Sequence, residues 1–199
     1  MASYAARDKG HPEEPLSLDK LLRKIYFFFF PRPDLLAEHV KNGLTVGKNF
    51  SMQGGVLLDG SHIWHITIGD DVTLAPGVHL LAHDASTKKH LGYARIGRVT
   101  IGDNVFIGAC SIVLPGVTIG SNVIIGAGSV VSRDIPDNSV SVGNPARVVC
   151  SMEDFLNKKH QELCEVPRFD ESYTLRGEVT DSMKQYMNQR MERGIGYIE

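Results

Sequence analysis

Five of the chain's eight histidines fall between residues 62 and 90: His62, His65, His79, His83 and His90. A neutral imidazole titrates close to neutrality, so such groups suit proton transfer or metal ligation. A catalytic zinc needs three converging protein ligands and an open fourth position. His79 and His83 stand four residues apart, but no histidine occurs between residues 91 and 159 to complete a set. In HIWH, residues 62–65, an extended strand would turn His62 and His65 to opposite sides, which argues against chelation by that pair. These spacings speak against a zinc centre and leave proton transfer open. Two carboxylates could orient an imidazole in this region. One is Asp84, directly after His83; the other is Asp59, in an earlier segment.

The segments that must hold these side chains repeat every six residues. From Ile101 to Pro136 the chain reads IGDNVF, IGACSI, VLPGVT, IGSNVI, IGAGSV, VSRDIP. A fixed period of this kind marks a chain wound as a coil, each turn stacking on the next. First-position Ile, Val or Leu should point inward, and the fifth position, Val, Ser or Ile, should also face the interior. No hexad can bury its apolar residue alone, so stacking creates one continuous core. Glycines recur at the second position (Gly69, Gly102, Gly108, Gly120, Gly126), and with Asn-type residues they are expected at corners needing tight bends or positive φ. The repeat starts weakly at Val46, breaks at LDGS (58–61), and resumes at His62, Ile68 and Leu74. A second break runs from about Leu80 to Thr100. Three hexads per turn would make a triangular prism, but the period alone does not fix that number.

The flanks read differently. Ser17–Lys20 resembles a helix start, with Leu18, Leu21, Leu22 and Ile25 on one face. A second helix is expected from Pro33 to Lys41, stopped by Asn42-Gly43. The apolar run Ile25–Phe30 (IYFFFF) is far short of the roughly 20 residues that cross a bilayer, and is expected to cap or trimerise a core, with contact at a membrane surface as the alternative. After the coil, Met152–Cys164 reads as an amphipathic helix N-capped by Ser151. A last helix should begin at Thr180 or Asp181 and stop at Gly194. The chain thus divides into an N-terminal helical segment (1–43), a coil domain (44–150) and a C-terminal helical extension (151–199). A net charge of −2 gives no basic field for nucleic acid. Three cysteines without paired spacing, and no signal-peptide core, fit a reducing, cytoplasmic compartment.

With the hexads in place, residues 44–150 resemble the hexapeptide-repeat acyltransferases, in the branch of galactoside, maltose, serine and capsular-sugar O-acetyltransferases. The stretch IGDNVFIGACSIVLPGVTIGSNVIIGAGSVVSRDIPDNSVSVGNPARVV, residues 101–149, carries the likeness. The resemblance implies an all-β core built as a left-handed parallel β-helix, against the right-handed rule for parallel crossovers. It also implies a homotrimer with active sites between subunits and the 80–100 break as a loop reaching the neighbour. The implied activity is acetyl transfer from acetyl-CoA to a hydroxyl of a small-molecule or oligosaccharide acceptor, such as a polysaccharide precursor, with no metal required.

The resembling enzymes place their catalytic histidine at the root of that loop, which is His83 here, with His90 as the fallback. Their acetyl-CoA contacts fall on Ala109, Ala127, Ser132, Arg133 and Arg147, the two arginines suiting phosphates. Cys150 stands where the family often has a second basic residue. Asp84, Asp59 and Trp64 make up the acceptor side, Trp64 as a surface for a sugar ring. Ile63 replaces an acidic residue of the galactoside and maltose enzymes, and their long N-terminal helical segment is not matched, so a simple galactoside is not the expected acceptor. Two alternatives share the coil: a metal-dependent hydratase of the γ-carbonic-anhydrase kind, and a non-catalytic trimeric scaffold.

Overall fold

The structure is a computed structural model that describes residues 33–192 and 194–199. The expected helix start at Ser17 and the run Ile25–Phe30 lie outside the described residues. Three parallel sheets form the sides of a prism. The first side stacks Thr45–Val46, Ile66–Ile68, Val99–Ile101 and Thr118–Ile119. The second stacks Ser51–Met52, Thr73–Leu74, Val105–Ile107, Val123–Ile125 and Ser139–Val142, and Arg147–Ser151 closes it antiparallel. The third stacks Leu57–Leu58, His79–Leu80, Ile112–Val113 and Val130–Val131. In the uninterrupted coils, strand partners are 18 residues apart: Thr100 with Thr118, Val105 with Val123, Ile112 with Val130. Each coil therefore holds three hexads, the number the period left undetermined.

Burial follows the hexad phase. First-position Ile68, Leu74, Leu80, Ile101, Ile107, Val113, Ile119, Ile125 and Val131 are all buried, as are fifth-position Val72, Val78, Val105, Val117 and Val123. Ser111 and Ser129 take the same interior fifth position without an orphaned hydroxyl. Both donate to the Gly126 carbonyl, and Ser111 Oγ also accepts from the Ser129 N–H. A larger side chain there would have to displace a stacked coil.

The corners assign the glycines a role different from the expected one. Left-handed backbone recurs at the fourth position: Asn49, Gly55, Asp71, Gly77, Asn104, Cys110, Gly116, Asn122 and Gly128 all have positive φ. Second-position glycines are required instead by close stacking. A Cβ on Gly108 would stand 2.5 Å from Ala127 N and 2.8 Å from Ala127 Cα. Backbone of the next coil cannot give way, so Gly108→Ala should destabilise by about 1–3 kcal/mol, the usual range for overpacking. Thermal unfolding followed by circular dichroism checks it; an unchanged midpoint would contradict this reading of the corners.

Cys110 is the one fourth-position residue here that is neither Gly, Asn nor Asp, at φ 58. The left-handed region costs an ordinary residue about 1–2 kcal/mol, against roughly 0.5–1 kcal/mol for the extra chain entropy of glycine. Cys110→Gly should therefore raise stability by about 0.5–1 kcal/mol in the same measurement; a loss would contradict it.

Among the described residues four α-helices accompany the coil: α1 (Pro33–Lys41), α2 (Lys88–Leu91), α3 (Met152–Glu165) and α4 (Asp181–Arg190). Gly43, at φ 106, follows α1 as the expected stop. Ser151 Oγ accepts the Asp154 N–H to cap α3, and Thr180 Oγ1 accepts the Met183 N–H to cap α4. α4 ends at Arg190, short of the expected stop at Gly194, with Met191 as its C-cap.

Candidate active site

Two interruptions of the hexad phase meet at one corner of the prism. Leu57 pairs with His79 and Leu58 with Leu80 on the third side. The residues that follow each strand, Asp59 and Leu81–Ala82–His83, therefore leave the sheet at adjacent levels. There the repeat breaks in both coils, and the side chains gather. Asp59 is only 4% exposed. Its Oδ2 accepts the N–H groups of Ala82 at 3.0 Å and His83 at 2.9 Å, and is hydrogen-bonded to His83 Nδ1. Its Oδ1 accepts the Ser61 N–H at 3.2 Å. Burial alone would raise the Asp59 pKa. The hydrogen bonds from His83, Ala82 and Ser61 outweigh it and hold the carboxyl below the ordinary carboxylate value.

An ionised Asp59 is an acceptor, so the neutral form of His83 beside it would carry its hydrogen on Nδ1 and keep a lone pair on Nε2. The His83 side chain is 34% exposed, so the pair has one buried member and one open to solvent. Asp84 is engaged elsewhere. It accepts the Ser86 N–H at 2.8 Å, which lowers its pKa, and it lies 3.9 Å from Arg95 Nη1. His83–Asp84 pairs antiparallel with Arg95–Ile96, fastening the root of the 80–100 loop. Of the two carboxylates that spacing left open, Asp59 is thus the one that contacts the imidazole.

HIWH corrects the strand expectation. After the LDGS break the backbone does not resume as a strand but turns through a 3₁₀ helix, Ile63–His65. Ile63 is buried, Trp64 is 57% exposed, and the His62 and His65 rings stack at 6.1 Å and 9° instead of facing apart. His62 also lies 5.0 Å from the His83 ring, centroid to centroid. Its proximity to His83 was missed from the sequence. The one available signal was the four-residue phase break, since an insertion of that size makes a turn and resets which way side chains point. Elsewhere His79 lies within the third side, and His90 is exposed on α2.

The other expected residues form a second group. Ala109 and Ala127 occupy the same corner of successive coils, and the Ala109 carbonyl accepts the Gly128 N–H at 2.8 Å. Ala127 and Gly128 are exposed, and a Cβ at Gly128 would meet nothing within 4 Å. Ser132 and Arg133 are exposed where the chain leaves Val131. That strand lies two sheet steps from Leu80, the strand before His83, which is roughly 10 Å along the coil axis at normal strand spacing. Arg147 is exposed where the chain turns back after Val142, its Nη1 donating to the Ala146 carbonyl at 2.8 Å. The structure therefore brings Asp59, His62 and His83 together, with the Trp64 ring 5.5 Å from that of His62. It sets Ala109, Ala127, Ser132 and Arg133 along the flanks of the same side, further up the coil. A concavity of about 810 Å³ between α3 and the second side, lined by Phe106, Ile124, Leu156 and His160, contains none of these residues.

Comparison with known proteins adds to this geometry. A family model described as bacterial transferase hexapeptide (six repeats) matches residues 98–133. Protein CapG of Staphylococcus aureus is 50% identical over 103 residues, covering 50% of this chain and 60% of CapG. The galactoside O-acetyltransferase of Escherichia coli (strain K12) is 33% identical over 152 residues, covering 73% of each chain. A solved structure of a galactoside acetyltransferase in complex with coenzyme A matches with a TM-score of 0.50 and 29% identity, over 68% of this chain and 80% of that one. The chain spans about three fifths of the length of CapG and of other curated relatives. The coil is accordingly a left-handed parallel β-helix.

Proposed function

Because this chain belongs to the hexapeptide-repeat acyltransferase family, we propose that it moves an acetyl group from acetyl-CoA to a hydroxyl of a sugar or related acceptor, with His83 as general base. The observation that carries this reading is the buried Asp59 bonded to His83 Nδ1 at the root of the loop. With Nδ1 committed, Nε2 takes the hydroxyl proton. The oxygen attacks the thioester carbonyl, the carbon–sulfur bond breaks, and the imidazolium returns the proton to the departing sulfur. The products are an O-acetyl ester and free CoA thiol, with no acyl-enzyme between them. Asp59 fixes the tautomer and, being ionised, stabilises the imidazolium while it exists.

The donor fits the wall above the base. Ala109, Ala127 and Gly128 leave backbone groups approachable by the pantetheine arm, while Ser132, Arg133 and Arg147 supply donors for phosphates. Trp64, 57% exposed, offers a face to a sugar ring. The 80–100 loop exposes Leu91, Tyr93 and Ile96 at 68%, 80% and 58%. An apolar set of that kind suits cover by a second copy, in line with a homotrimer whose sites lie between subunits. Among the described residues no helix is long and apolar enough to cross a membrane. Three free cysteines suit a cytoplasmic setting.

Thiol release from acetyl-CoA against a panel of galactosides, maltose, amino sugars and serine tests the reading. We expect release that depends on one class of hydroxyl acceptor. Absence of both acceptor-dependent release and CoA binding would sink it.

A further inference from the structure

One side chain beside the base takes no part in the proposed reaction. His62 Nδ1 is buried and has no hydrogen-bond partner among the described residues. An imidazole nitrogen in that state has lost water without replacement, which is a cost unless something else binds there. Asp59, His62 and His83 each present one ligand atom, and these atoms lie within 4.8 Å of one another. Around a tetrahedral ion with bonds of 2.0–2.2 Å, ligand atoms stand about 3.4 Å apart. The cluster is thus within a small side-chain adjustment of a coordination shell, and the partly exposed His83 has room to make it.

We infer that Asp59, His62 and His83 form a binding site for a divalent transition metal of the zinc type, and that the ion switches off the base. Two imidazoles and one carboxylate suit zinc or cobalt. Magnesium and calcium prefer all-oxygen shells and are disfavoured. The ion enters where His83 Nδ1 now donates to Asp59. The imidazole stays neutral, and its one hydrogen moves from Nδ1 to Nε2. An N–H at Nε2 accepts no proton, so the acceptor hydroxyl loses its base. No net proton is released from His83, and no redox partner is needed. The ion here is an inhibitor, which distinguishes the site from the three-histidine centre of a hydratase. Binding stands independently of the transferase reading; the switching-off rests on it.

The experiment uses the whole chain, stripped with a chelator and titrated with CoCl₂ and ZnCl₂. Stoichiometry comes from calorimetry and ligand geometry from the visible cobalt spectrum. One ion per chain with intense four-coordinate bands is expected. His62→Ala should weaken binding at least about 100-fold, the upper end of what loss of even an outer-shell partner costs. In parallel, zinc should abolish acceptor-dependent thiol release at concentrations that track its Kd, and excess chelator should restore it. No binding, or binding indifferent to His62→Ala, overturns the site. Stoichiometric binding that leaves thiol release untouched overturns the inhibition. If the stripped protein releases no thiol with any acceptor, the transferase reading fails, while the cobalt result still decides the site.

Discussion

Replacing His83 with Asn is expected to lower kcat for the proposed acetyl transfer by about 10³-fold, within the 10²–10⁴ that a positioned general base contributes. Asn is close in size and can donate to Asp59 as Nδ1 does, so the corner keeps its packing and its buried carboxylate keeps a partner. It has no nitrogen lone pair to take a proton. CoA affinity should stay near wild type, because the small-residue wall at Ala109 and Ala127 lies further up the coil. The loss therefore falls on kcat and not on acetyl-CoA binding. Steady-state thiol release with both substrates saturating reads it, and a variant within tenfold of wild type would remove His83 from the reaction.

The second large effect belongs to Asp59, and two substitutions separate its roles. Asp59→Asn can still present one oxygen to the N–H groups of Ala82 and His83 and to His83 Nδ1. What it lacks is charge, together with the second oxygen that accepts the Ser61 N–H. A hydrogen bond to a charged group is worth about 1.5–3 kcal/mol, so kcat should fall roughly 10- to 100-fold at the conversion of 1.36 kcal/mol per decade, with modest loss of stability. Asp59→Ala strips partners from three backbone N–H groups, those of Ala82, His83 and Ser61. At about 1–3 kcal/mol for each unsatisfied buried group, unfolding itself should become markedly easier. Kinetics and thermal melts on both variants check this. An Asn variant with full kcat would mean that Asp59 only anchors the loop.

The regular part of the coil was readable from the chain, since hexad phase is a local property: a residue two or three positions from a branched apolar one must face inward or out. Interior Ser111 and Ser129 follow from the same rule. The corner chemistry was less readable. Both second- and fourth-position residues look like turn formers, yet Gly108 is required by the coil above it and Cys110 sits in left-handed backbone. One requirement is long-range and the other local. The site shows the same division. The resemblance put the expected base at the root of the phase break, His83, but the carboxylate that contacts it lies 24 residues earlier, at Asp59. Only the stacking of Leu58 on Leu80 brings them together. His62 escaped because an extended strand was assumed across HIWH, where the four-residue insertion makes a 3₁₀ turn.

Direct transfer at the Asp59–His83 pair is tested most directly by counting both products in one reaction. Wild-type protein and His83→Asn are each incubated with acetyl-CoA, with and without the acceptor found in the panel. Thiol, acetylated acceptor and intact chain mass are then quantified together. The account predicts that wild type yields thiol and O-acetyl ester mole for mole, only when acceptor is present, with no acetylated chain, and that His83→Asn yields almost neither. Equal rates from the two proteins, or an acetylated chain that accumulates before the ester, would contradict it.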